Sequence, residues 1–282
     1  MKKKIIKILG VVLTLAMLSS MAIAVAPVSA APGVNAWDDI TLPDTTINGV
    51  DALEIAPNGD MYVSVFSTSD GLPYTGGNYI WWDLYKSIDD GVTWTVTKLD
   101  HEKLGGGTVL SPSTSDEITA IAASPDSQTI YVGTLNSGGE VWKIEDEGEA
   151  EPYLIQQPLG NETDEYADYI YDLEVWSDGS DNWIMAACDI DVLVLRDGLF
   201  ELWRDMELNN SFGDWSAEGD LLNAYKASFA PDFETSFLLW ALIDVSVGPG
   251  PTEFVLTTTG ANSPGQWGSV IEDCYFGDYG EL

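Results

Sequence analysis

The chain has 282 residues, with 46 Asp and Glu against 11 Lys and Arg, a formal net charge of −35 at pH 7. That balance excludes nonspecific binding to nucleic acid or to an anionic membrane surface, both of which need basic patches. Hydrophobic residues make up 45% and aromatic residues 11%, so the chain carries the material of a packed core and is not a disordered acidic tail.

The first thirty residues read as a signal peptide. Lys2, Lys3, Lys4 and Lys7 form a basic start, Ile8 to Val25 is apolar apart from Gly10, Thr14, Ser19 and Ser20, and Val28-Ser29-Ala30 places small residues where signal peptidase cuts. The alternative is an uncleaved anchor, because a run of this length just spans a bilayer. No cysteine follows the apolar run, which argues against lipoprotein processing. The expectation is an exported protein, secreted or held at the cell surface. Residues 31–282 then carry seven basic and 46 acidic residues, a net charge of −39. Such a surface resists aggregation and suits high salt, and it also opens the way to divalent cations.

Beyond residue 30 one phrase recurs four times in chain order. Val50 to Asp60 leads into Met61 to Val65, Ile118 to Ser127 into Ile130 to Gly133, Asp172 to Gly179 into Trp183 to Ala186, and Ala227 to Asp232 into Phe237 to Ala241. Each is a strand of small residues, a Pro, Asp or Gly turn and a second apolar strand, which is a hairpin signal. The anchors Pro57, Pro125, Ser177 and Pro231 lie 68, 52 and 54 residues apart. Short strands recurring with a period near fifty predict an all-β fold, a β-propeller of four-stranded antiparallel blades. The blades are expected near 44–100, 116–157, 168–204 and 222–271, with 272–282 opening a further repeat. The third and fourth strands are placed at Tyr79–Lys86 and Thr93–Leu99, Glu140–Ile144 and Pro152–Ile155, Val192–Leu195 and Leu199–Trp203, and Glu253–Thr257 and Gln266–Val270. Trp37-Asp38-Asp39-Ile40 reads as an outermost strand without a blade of its own, so the four visible blades are expected to belong to a larger propeller.

The octapeptide Ser87-Ile88-Asp89-Asp90-Gly91-Val92-Thr93-Trp94 sits between two of these strands. Asp89 is placed to accept backbone N–H groups of its own turn, Gly91 to supply a positive φ, Ser87 to bond back across the loop and Trp94 to pack its ring beneath. The segment resembles the Asp box, Ser-x-Asp-x-Gly-x-x-Trp, of sialidase-like β-propellers. Ser87, Asp89, Gly91 and Trp94 match its four key positions, and Glu145-Asp146-Glu147-Gly148 in the second repeat is a degenerate copy without the Trp. The resemblance implies a propeller and leaves the activity open, because its members include sialidases, xyloglucan-cleaving glycosidases, sortilin-type receptors and photosystem assembly factors.

Sialidase chemistry, as the resemblance implies it, needs three arginines around the substrate carboxylate, and beyond residue 30 there are only Arg196 and Arg204. The single histidine, His101, reads as an exposed loop residue; no second histidine completes a zinc site and no serine has a nucleophile-elbow context. No catalytic residue is assigned. A glycosidase needs only two carboxylates, which 46 acids cannot single out. Acids precede each inner strand: Asp44 and Asp51, then Asp116 and Glu117, Glu165 and Asp168, Glu218 and Asp220, then Glu272 and Asp273. Of these, Asp116, Glu117, Glu165, Asp168, Glu218 and Asp220 form the candidate metal set, with calcium the cation that irregular oxygen loops suit. The competing reading is that every loop of so acidic a chain carries carboxylates. Asp178-Gly179-Ser180-Asp181-Asn182 and Asp189-Ile190-Asp191 read as turn-forming oxygen clusters. Tyr79, Trp81 and Trp82, at the end of the long Ser67–Asn78 loop, are candidate sugar-stacking aromatics or, equally, inter-blade core. Cys188 and Cys274 either pair or stay separate thiols. The favoured function is an exported module without enzymatic activity that binds a protein, glycan or cation and requires no cofactor. The alternatives are a xyloglucanase-like hydrolase and a structural surface-layer component.

Overall fold

The structure is a computed structural model that describes residues 47–68, 80–105, 107–108, 111–112, 115–135, 139–145, 151–155, 167–197, 200–208, 223–245, 253–261 and 272–274. All belong to one compact unit, Thr41–Leu282. Residues 1–30, where a signal peptide is expected, Trp37 to Ile40, Asp44, Tyr79, Asp146 to Gly148, Glu165, Glu218, Asp220 and Gln266 to Val270 lie outside the described residues.

The architecture is all-β, four consecutive antiparallel sheets of four strands each. The first holds β1 (Ile47–Ile55), β2 (Met61–Thr68), β3 (Ile80–Ser87) and β4 (Thr95–Val96). A two-stranded ribbon, β5 (Gly107–Thr108) and β6 (Ser111–Pro112), precedes the second sheet of β7 (Glu117–Ala123), β8 (Thr129–Leu135), β9 (Glu140–Glu145) and β10 (Tyr153–Leu154). The third is β11 (Ile170–Ser177), β12 (Asn182–Cys188), β13 (Val192–Asp197) and β14 (Phe200–Asp205). The fourth is β15 (Ala224–Phe229), β16 (Leu238–Val245), β17 (Glu253–Gly260) and β18 (Glu272–Cys274), with a single helical turn, α1 (Phe233–Ser236), between its first two strands. Within each sheet neighbours in sequence are neighbours in space. The first strands of successive sheets pack on one another, β1 on β7, β7 on β11 and β11 on β15. That is the arrangement of propeller blades around an axis. Among the described residues, no comparable packing joins the fourth sheet back to the first.

The alternation of side chains explains the stacking, because every inner sheet is buried on both faces. In β8, Ile130 and Val132 belong to the core slab shared with the first sheet, whereas Tyr131 belongs to the slab shared with the third. In β12, Ile184, Ala186 and Cys188 face the second sheet, and Trp183, Met185 and Ala187 face the fourth. The core is therefore three slabs, one per sheet junction.

The four inner hairpins share a turn logic that the anchor positions announce. The residue after each anchor, Asn58, Asp126, Asp178 or Asp232, supplies the side-chain oxygen that organises the turn. Asp126, for example, accepts from the Ser124 hydroxyl at 2.6 Å and from the Gln128 N–H at 3.0 Å.

Three boundaries differ from expectation. The outermost strand of the first sheet is regular only over Thr95–Val96; after it the Thr97 N–H donates to the Leu84 carbonyl at 2.8 Å and the Leu84 N–H to the Leu99 carbonyl at 3.1 Å, so the chain stays beside β3 in an irregular register. Glu272–Cys274 pairs with Phe254–Leu256 and so forms the outermost strand of the fourth sheet rather than the start of a fifth repeat. β17 runs up to Gly260 rather than ending at Thr257.

Candidate functional site

The loop after β3 is held by Ser87 and Asp89. The Gly91 N–H donates to Ser87 Oγ at 2.9 Å, the Ser87 hydroxyl to Asp89 Oδ1 at 2.9 Å, and the Thr93 N–H and hydroxyl to Asp89 at 2.8 and 2.7 Å. The Trp94 indole N–H donates back to the Gly91 carbonyl at 3.2 Å. Gly91 has φ of 81° and Asp90 of 58°, so both central residues are left-handed. The side chains of Ser87, Asp89, Thr93 and Trp94 all bond within the loop, which makes it a brace.

The candidate metal residues that are described separate into pairs. Burial, and then the charge of Asp51, raise the Glu117 carboxyl above its usual range. Asp116 acts on Glu140 in the same way, again after burial. Asp168 raises Asp189, whose first cause is likewise burial; Asp189 Oδ1 accepts the Asp168 and Tyr169 N–H groups at 3.1 and 3.2 Å. Among the described residues no group of three such side chains is placed to hold a metal ion.

Of the candidate aromatics, Trp82 is buried in the first core slab. Its indole donates to Asp51 Oδ2 at 2.6 Å and its backbone N–H to Ser115 Oγ at 2.8 Å. Its ring offers no platform to a ligand. Trp81 stacks on His101 with ring centroids 5.0 Å apart. His101 itself is half-buried rather than exposed, its Nδ1 and its backbone N–H both on Asp83 Oδ1, at 2.9 and 2.7 Å. The residue has a structural anchor that its polar loop sequence concealed.

Both arginines are engaged by scaffold. Arg196 meets Asp181 at 2.9 Å and Asp178 at 3.4 Å and lies over the Trp183 ring; Arg204 donates to the Ala261 carbonyl at 3.3 Å. The Asp178 and Asp189–Asp191 clusters likewise serve the backbone. Asp191, almost fully buried, accepts the Val192 and Leu208 N–H groups at 2.7 and 2.8 Å, and its carboxyl is pushed well up by burial and by Asp205 beside it. Cys188 is a buried free thiol, and burial raises it further.

The convergence that matters lies where the inner strands meet. A cavity of about 360 Å³ is lined by all four of them: Leu53 and Glu54 from β1, Ile121 to Ala123 from β7, Asp172 to Val175 from β11 and Lys226 from β15. Lys226 reaches both oxygens of Asp172 at 2.8 and 2.9 Å. Glu54 accepts the Ala123 N–H at 3.3 Å, and Glu174 accepts from the Ser228 hydroxyl and the Phe229 N–H. Glu54 and Glu174 occupy the same place in their repeats, three residues before Pro57 and Ser177, and each bonds the inner strand of the next sheet. Burial is the first cause raising Glu54, Asp172 and Glu174 alike, and the charge of Asp172 adds to it at both glutamates. The three carboxyls thus hold or accept a proton more readily than exposed ones. Next to the cavity-lining residues in sequence stands a run of tyrosines. Tyr169 and Tyr171 lie 4.6 Å apart and Tyr171 and Tyr225 4.8 Å apart, all half-buried, with Glu117 and Asp51 close enough to raise the Tyr169 phenol after burial has done so. The carboxylates and the ammonium of the lining can bind a polar ligand that carries hydroxyls.

No family model and no curated protein matches the sequence. Among solved structures, the chain is similar to the hydrazine synthase of Kuenenia stuttgartiensis, at 14% identity over 84% of this chain and 52% of that one, with a TM-score of 0.46. It is also similar to a glycosyl hydrolase of Bacteroides ovatus, at 12% identity over 83% and 72% of the two chains and a TM-score of 0.41. An α-L-arabinofuranosidase of Clostridium thermocellum gives 13% identity over 81% and 74%, with a TM-score of 0.38. The chain spans about half the length of the hydrazine synthase chain it matches. Likeness at this level assigns neither a ligand nor a reaction.

Proposed function

We propose that this protein is an exported Asp-box β-propeller that binds a glycan at its axis without cleaving it. The observation that carries the reading is the cavity on which all four inner strands converge, lined by Glu54, Asp172, Glu174 and Lys226 and followed by the run Tyr169, Tyr171 and Tyr225. Sugars are held by paired acceptors and donors on their hydroxyls and by aromatic rings on their apolar faces; the cavity lining offers the first, and Tyr171 and Tyr225 stand next in the chain to its Asp172 and Lys226. The side-chain network from Ser87 to Trp94 supports the Asp-box assignment, and Lys2 to Ala30 supports export. Each carboxylate of the cavity is engaged by a neighbouring sheet or by Lys226, which favours a fixed binding lining over a mobile acid and base pair. A glycosidase is the second reading, favoured by the raised carboxyls of Glu54 and Glu174.

One experiment addresses both. Titration of the protein with a panel of neutral oligosaccharides, xyloglucan fragments included, is expected to give saturable binding that Glu174→Gln weakens about tenfold, the effect of losing a charge-assisted hydrogen bond. Aryl glycosides should stay intact. Hydrolysis that Glu174→Gln abolishes would establish the enzyme instead, and absence of binding to every member of the panel would remove the glycan reading.

A further inference from the structure

We infer that the axial cavity takes a sugar bearing a protonated amine, a hexosamine unit, held by Glu54 and Glu174. The inference rests on the glycan reading and adds to it the charge of the ligand. The described lining sets three carboxyls, Glu54, Asp172 and Glu174, against one ammonium, Lys226. Lys226 sits on both oxygens of Asp172 at 2.8 and 2.9 Å, and the Ala227 N–H approaches the same carboxyl at 3.4 Å. That pair is complete in itself. At Glu54 and at Glu174 the charge of Asp172 outweighs that of Lys226, so both glutamates face a surplus of negative charge.

An ionised carboxylate has about four acceptor positions and no donor. Glu54 spends one on the Ala123 N–H at 3.3 Å, and Glu174 accepts from the Ser228 hydroxyl and the Phe229 N–H. What remains calls for donors, and a half-buried carboxylate without its own counter-charge calls for a cation. A sugar hydroxyl supplies only the donor. An ammonium supplies the donor and the charge, and Lys226 shows that an ammonium reaches hydrogen-bond distance of a carboxylate in this cavity. The surroundings have the same sign. Nearer the start of the inner strands, Asp51 of β1 and Glu117 of β7 act on each other and on the Tyr169 phenol, which draws a cationic ligand toward the axis. A bare metal ion suits the place less well, because among the described residues no three such side chains are set to coordinate one.

The probes are the fully deacetylated chitin trisaccharide and its fully N-acetylated form, titrated calorimetrically into the full chain in mildly acidic buffer, where the free amines are protonated. The deacetylated trisaccharide is expected to bind at a single site at least about tenfold more tightly. Glu54→Gln should bring the two probes to within about threefold of each other. Lys226→Met, which leaves Asp172 uncompensated, should widen the preference instead, a change that a misfolded variant could not produce. Glu234→Gln removes an exposed acid outside the lining and should alter neither titration. Equal affinity for the two trisaccharides overturns the amine and leaves the glycan reading standing. A preference that survives Glu54→Gln, or that falls as far in Glu234→Gln, overturns it too, because the attraction would then belong to the acidic surface as a whole. Binding of neither trisaccharide also overturns it, and the neutral panel alone then decides the glycan reading.

Discussion

Asp89 shows how much one carboxylate can organise when its loop is built around it. The Thr93 hydroxyl, then the Thr93 N–H, hold its carboxyl below the usual carboxylate range. A depressed folded-state value means that the native loop prefers the ionised form. The contribution to stability is therefore complete above the unfolded value, near 3.9, and is lost as the pH falls through the folded one. Asp89→Ala should lower the melting temperature at neutral pH, and the gap between variant and wild type should close in acid, as thermal denaturation across a pH series would show. A gap that stayed constant down to the acid limit would mean that the carboxylate is not the bonding form. The same variant should leave glycan titrations unchanged, because the side chains of Ser87, Asp89, Thr93 and Trp94 bond within the loop.

Elements meet across three sheet junctions, and the middle one is fastened by polar as well as apolar contacts. The buried Tyr131 hydroxyl donates to Asp197 Oδ2 at 2.7 Å, Lys143 reaches the same oxygen at 2.6 Å, and the Asn182 amide donates to Tyr131 at 3.0 Å. Close approach is enforced by Gly133 on β8: a Cβ there would stand 2.9 Å from Ile170 Cγ2, on the inner strand of the next sheet. Gly133→Ala should therefore overpack the junction and cost about 1–3 kcal/mol in chemical denaturation. A neutral result would show that Ile170 can turn aside without loss. Inner hairpins of this kind are legible in the sequence because Pro57, Asp126, Gly179 and Asp232 punctuate them. The length of β4 and the place of β18 were not, since two- and three-residue strands have no periodicity to read. The axial carboxylates were hidden for a different reason. Among 46 acids, Glu54 and Glu174 are marked only by their common offset from the repeat anchors, and no property of one strand tells which neighbour it will face. Tyr169, Tyr171 and Tyr225 come from two repeats, so their stack exists only once the sheets are assembled.

At the scale of the molecule, the core is divided into slabs that each belong to two neighbouring sheets, so stability should be transmitted from sheet to sheet rather than held in one centre. The slab between the third and fourth sheets makes the sharpest test. There α1 inserts the fully buried Phe233, with ring centroids 4.9 Å from Trp176 and 5.5 Å from Trp183 on the third sheet. On the fourth-sheet side the same ring meets Phe229 at 4.7 Å and Phe237 at 5.6 Å. Truncation to alanine removes the apolar transfer energy and leaves a cavity among large rings that cannot close it, a loss of about 3–5 kcal/mol. If coupling runs only between neighbours, Phe233→Ala should free the fourth sheet first. Hydrogen exchange would then speed up in residues 223–245 and 253–261, while β8, two junctions from the fourth sheet, and β2 and β3, three junctions from it, keep their protection. Equal loss of protection in all four sheets would instead show that they unfold as one cooperative unit, and that the division of the core into slabs has no energetic counterpart.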